Sequence, residues 1–180
     1  ASDGGREFMA VSWYGRSQEN YEDRGVRIAF VDISDPSHIA YRHVLLVDEN
    51  YDTFSSLHGG GLAFNVEDNL LHVPDSRSGT KKVYTFDVND ILYVPAGERG
   101  DVYDYVYILK RVGSYDVPIT PSFLSFDDDL DQILLGTFYQ CSDYHYDTPE
   151  CLAASSNTLM WYSVGDVSSA SPYCAPFYSE

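Results

Sequence analysis

Apolar residues in this chain almost never recur at the three-and-four spacing of an amphipathic helix. They come in short runs rich in Val, Ile, Tyr, Phe and Leu, closed off by clusters of Gly, Asp, Asn and Pro. Runs of that length and composition suit pleated strands and are too short for helices. Candidate strands are residues 8–14, 26–33, 43–47, 61–65, 70–74, 82–88, 105–111, 123–126, 133–139 and 158–164, with a single helical turn at 88–93. Many short strands separated by turn signals define an all-β chain.

The strands repeat. HGGGLAFNVEDNLLHVPDS has the order strand, polar hairpin, strand, and TPSFLSFDDDLDQILLGTFYQ has it again. Leu62, Ala63 and Phe64 match Leu124, Ser125 and Phe126, and Leu70 and Leu71 match Ile133 and Leu134. A third strand follows each hairpin, KKVYTFDVNDI and NTLMWYSVGDV, and GVRIAFVDISDP is its counterpart near the N-terminus. YRHVLLVD and YVYILKRV supply a fourth, outer strand to the first two units. The unit is thus a four-stranded antiparallel meander of roughly 55–75 residues, which points to a β-propeller-like architecture. The expected blade units are 8–47, 58–111 and 122–164 of a single domain over 1–180, with 165–180 as a tail leading to a missing continuation. That makes about two and a half blades, too few to close a ring, so another chain or copy is expected to complete the propeller.

Composition bounds the partners. Of 180 residues, 44% are hydrophobic, enough for a sizeable core. With 11 Lys and Arg against 28 Asp and Glu, the formal net charge is −17, which disfavours nucleic acid and anionic membrane surfaces. No apolar run of about 18 residues could span a bilayer. The opening ASDGGREF suits a chain left after signal-peptide removal, or an arbitrary boundary. Cys141 and Cys151 bracket the polar segment CSDYHYDTPEC. A disulfide closing such a loop would stabilise by about 2–3 kcal/mol. Oxidation, and with it a secreted, extracellular chain, is the preferred reading, and three reduced thiols are the alternative. Cys174 is left over, which suits a partner cysteine on another chain or in further sequence.

The phrases YRHVLLVD, HGGGLAF, LLHVPDSRSGTKKVYTFDVNDI and LKRVGSY together resemble a group of secreted, propeller-like microbial proteins. Members carry a similar R-H-V-L-L-V strand, an H-x-G-G turn and a G-x-x-V-x-x-F-D third strand, and the resemblance spans about residues 26–164. It implies fold, secretion and a continuation past Glu180; it implies no chemistry. The three-cysteine pattern departs from the group.

Four constellations bear on function. His58 precedes Gly59, Gly60 and Gly61 at the entry to an innermost strand, where it would serve as a channel base or metal ligand, or pack against a neighbouring blade while the glycines admit close backbone approach. Asp127, Asp129 and Asp131 alternate in a hairpin and would offer oxygens to Ca2+, but they lack the Gly and distal Glu of a calcium loop, and a solvated turn is the simpler reading. Asp75 sits where a turn-bonding carboxylate is expected. Tyr139, Tyr144, His145 and Tyr146 cluster in or beside the cysteine loop, in a chain with 16 tyrosines, and suit glycan stacking or protein contact, with structural filler as the simpler reading. No G-x-S-x-G elbow is present, and only one imidazole points at the channel, which counts against an enzyme. The expectation is a secreted, non-catalytic glycan- or protein-binding module that assembles with a partner chain; the alternative is a propeller hydrolase or lyase using His58 and Ca2+.

Overall fold

The structure, a computed structural model, describes residues 2–3, 6–16, 23–54, 57, 59–77, 79–127, 132–137, 158–163 and 173–176. Its strands in chain order are β1 (Ser2–Asp3), β2 (Arg6–Arg16), β3 (Asp23–Asp32), β4 (Ala40–Val47), β5 (Ala63–Asn65), β6 (Leu70–Pro74), β7 (Lys82–Tyr93), β8 (Tyr107–Asp116), β9 (Phe123–Asp127), β10 (Gln132–Gly136), β11 (Thr158–Ser163) and β12 (Tyr173–Pro176). A 3-10 helix, Ala96–Val102, separates β7 from β8. The expected all-β class is observed.

Two sheets form, in the orders β1-β2-β3-β4-β8-β7-β6-β5 and β12-β11-β10-β9. Within them the chain runs as antiparallel meanders: β2-β3-β4, then β5-β6-β7-β8, then β9-β10-β11-β12. The first sheet curls, because Val26 and Ile28 of β3 share one buried cluster with Leu71 and Val73 of β6, near its other end. Val44, Leu46, Phe86 and Leu109 complete this interior.

Register corrects the repeat in one detail. Phe64 pairs with Leu71, and Phe126 pairs with Ile133. Leu71 therefore corresponds to Ile133, one residue away from the match expected from sequence, and both are buried. The third strands agree with that register: Phe86 lies opposite Leu71, and Tyr162 opposite Ile133.

Three further departures have physical causes. The fourth strands of the first two meanders are not outer strands: β4 and β8 pair in parallel through Leu45–Ile108, Leu46–Leu109 and Val47–Lys110, fusing both meanders into one sheet. The run Val44, Leu45, Leu46, Val47 is buried on both faces, as expected of an interior strand. Val44 and Leu46 face the curl, while Leu45 and Val47 pack beneath Val94, Val102 and Ile108 on the outer face. The helical turn expected at 88–93 is the end of β7. There Ile91, Leu92 and Tyr93 pair with Leu109, Ile108 and Tyr107 after a register shift that takes up Asp87, Val88, Asn89 and Asp90 as a bulge. Finally, β12 lies in the segment expected to be a tail, with Cys174 opposite Met160.

The two sheets meet through a second apolar cluster, in which Ala63, Val83 and Val117 pack on Leu124, Ile133 and Leu135. Gly60 and Gly61, just before β5, run along this seam. A Cβ on Gly60 would sit 2.0 Å from the Ser122 carbonyl oxygen, so only a bare backbone passes here.

Candidate functional site

The residues singled out in the sequence fare unequally. Asp127 ends β9 and takes the hairpin position that Asn65 holds in the preceding meander. Asn65 closes its turn by accepting from the Glu67 and Asp68 amides at 2.9 and 3.2 Å. His58, Asp129, Asp131, Tyr139, Cys141, Tyr144, His145, Tyr146 and Cys151 lie outside the described residues. Among the described residues no group of three or more His, Cys, Asp or Glu side chains could hold a metal ion. Asp75 behaves as expected: its carboxylate is fully buried and accepts from Arg77 Nε at 2.8 Å and from the Tyr84 hydroxyl at 3.3 Å.

What sequence reading missed lies on the outer face of β2, β3 and β4. Strand alternation gives each strand two faces. Ala10, Phe30, Val26 and Ile28 look into the curl. The opposite face carries three cross-strand rows: Met9–Val31–Tyr41, Val11–Ala29–His43 and Trp13–Arg27–Leu45. Segment 94–106 covers the Leu45 end of this face and reaches Arg27 through Tyr105; Ala29 at the centre is buried, and the exposed side chains stand at the corners. Met9 is 48% exposed, Trp13 50% and Tyr41 58%.

Two polar side chains flank Ala29 on this aromatic shelf, Arg27 along β3 and His43 across on β4. Arg27 is half-buried, and its Nη1 donates to the Tyr105 hydroxyl at 2.9 Å, a contact with the covering segment. Arg27 Nε and His43 Nδ1 are buried without a hydrogen-bond partner among the described residues. The Tyr41 ring meets His43 edge-on at 5.3 Å. Burial, reinforced by the Arg27 charge, holds the His43 imidazole below its ordinary pKa, so it is neutral at pH 7. The shelf thus combines two stacking surfaces, a guanidinium and a neutral imidazole, and it offers no nucleophile paired with a base. It is a surface for holding a ligand.

No protein-family model matches the chain, and no curated protein matches it. No helix among the described residues is long and apolar enough to cross a membrane.

Proposed function

We propose that the chain is a secreted, non-catalytic binding and structural module. It is β-propeller-like, with four-stranded meanders as its repeating unit, and is completed by further chain or by another copy. Its ligand is a glycan or an extracellular protein. The single observation that carries this reading is the open aromatic shelf of Trp13 and Tyr41 around Arg27 and His43. Isolated exposed aromatics need no explanation, but a face with three large apolar side chains at its corners and two hydrogen-bonding heads beside them does. The tyrosine loop of Tyr139, Tyr144, His145 and Tyr146, stapled by a Cys141–Cys151 disulfide, belongs to the same reading as a second recognition element. The similarity of the repeat phrases to secreted propeller-like proteins supports the compartment.

The test is a binding screen of the intact chain against glycan and extracellular-protein arrays, run beside Trp13→Ala. Both Trp13 and its replacement lie on an open surface, so the fold is retained. We expect a hit whose signal falls about tenfold in the variant, the loss of one stacking contact of about 1–1.5 kcal/mol. Turnover of any ligand that binds, or binding indifferent to Trp13, overturns the proposal.

A further inference from the structure

Alternation in β2 produces an inversion. Met9, Val11 and Trp13 form the more apolar of its two faces, yet they point outward, while Phe8, Ala10 and Ser12 point to the curl. Burial alone would have placed them the other way round. An apolar face turned outward is a candidate surface for a ligand.

The layout indicates the shape of what lies there. Trp13 and Tyr41 are separated by two inter-strand spacings and four residues along the strand. That places them about 16 Å apart on the sheet. Arg27 is the cross-strand neighbour of Trp13, and His43 stands on the strand of Tyr41, one row closer to Arg27. The line between the two rings crosses Ala29, and Arg27 and His43 both lie along one side of it. An extended, ring-built chain fits such a track, stacking at both ends and exchanging hydrogen bonds along one side. A compact ligand would engage only one ring.

Charge selects among such chains. Among the described residues the Arg27 side chain bonds to a neutral phenol, and no carboxylate pairs with it. Arg111, Arg77 and Lys82, by contrast, are each paired with an acid. A planar guanidinium in a partly desolvated site favours a carboxylate, which it grips through two parallel bonds. The net charge of −17 opposes an anion at long range, but screening confines that repulsion to about 8 Å at physiological ionic strength. Contact at Arg27 then decides.

We infer that the outer face of β2–β4 binds an extended uronic-acid oligosaccharide, with Trp13 and Tyr41 stacking on its rings and Arg27 holding a carboxylate between them. This rests on the binding-module reading above and specifies its ligand. The test is calorimetric titration of the intact chain with a galacturonate oligomer, the same oligomer fully methyl-esterified, and a neutral β-glucan oligomer. The acid form is expected to bind about tenfold or more tighter than either neutral probe. Arg27→Gln should erase that preference, and Arg27→Lys should reduce it, since it keeps the charge and loses the fork. Tyr41→Ala, on an open site, should weaken acid and ester alike. Equal binding of acid and ester overturns the inference and leaves the module reading standing. If no saccharide binds and an extracellular protein is lost on Tyr41→Ala, the ligand class is wrong and the face remains a binding surface. If nothing binds and none of the variants has an effect, both fall.

Discussion

His72 is a single residue on which the behaviour of the joint between sheets can be read. It lies on β6, 3% exposed, stacked on Phe126 of the facing sheet with ring centroids 5.8 Å apart. Its Nδ1 is 3.0 Å from the Tyr115 hydroxyl, and its Nε2 is buried without a hydrogen-bond partner among the described residues. Burial lowers its pKa to about 4, against a weaker opposing pull from Asp68. The folded state therefore holds the neutral ring, while the unfolded chain takes up a proton near pH 6.5. Stability is complete above pH 6.5 and is lost as the pH falls toward 4, by up to about 3 kcal/mol. His43 is shifted in the same direction, so part of the slope belongs to it. Urea titrations between pH 7.5 and 4 should show this decline, and His72→Phe should flatten most of it. An unchanged slope in the variant would place the titrating group elsewhere. The joint was not legible in the sequence: LLHVP reads as an ordinary strand, and only the approach of β9 makes its histidine a buried one.

At the scale of elements, the segment before β5 shows how two glycines, Gly60 and Gly61, become a docking track beside a third that packs on its own sheet. Gly59 passes Val26 and Val73, Gly60 passes the Ser122 carbonyl, and Gly61 passes Phe123. Each element here is short, and β5 has only three residues, so much of the contact with β9 is backbone against backbone. Gly60→Ala puts a methyl 2.0 Å from a carbonyl oxygen that cannot rotate away. The expected cost is about 1–3 kcal/mol, seen as a lower melting temperature and as earlier hydrogen exchange in β9 and β10 than in β3 or β4. Uniform protection loss would mean that the two sheets unfold as one unit. The close approach was readable from HGGG, as were most strands, because runs bounded by turn residues leave little choice of conformation. The end of β7 was not. Val88, Asn89 and Asp90 carry turn chemistry, and only pairing with β8 draws them into a bulge instead of a helical turn. The shelf was missed for a related reason. Alternation announces two faces without saying which is inside, and here the more apolar face of β2 is the outer one.

For the whole molecule, the parallel seam between β4 and β8 matters most. It turns two meanders into one curled sheet, and its edges are the two-residue β1 and the three-residue β5. The three-residue β5 offers little template for uncontrolled pairing, but β1 covers only Arg6 and Glu7, so Phe8–Arg16 of β2 have no strand on that side among the described residues. The second sheet ends in β12, bonded on one side to β11. If another copy completes the architecture, strand addition at β12 is the cheapest route, since backbone hydrogen bonds supply the contact and no new core is required. Two chains each carrying −17 repel one another, over about 30 Å at 0.01 M salt and about 8 Å at 0.15 M. Self-completion must therefore strengthen as salt is added, opposite to the response of an interface held by ion pairs. Light scattering at low and at physiological ionic strength should find the mass rising from monomer toward a defined oligomer. A proline at Cys174, which shares with Pro176 the orientation whose N–H side faces away from β11, should block that rise by removing a backbone donor from the edge, whereas one at Ala175 would break the pairing with Leu159. A monomer at every salt concentration excludes a second copy as the completing partner, and the missing strands must then come from a different polypeptide or from further sequence of this one.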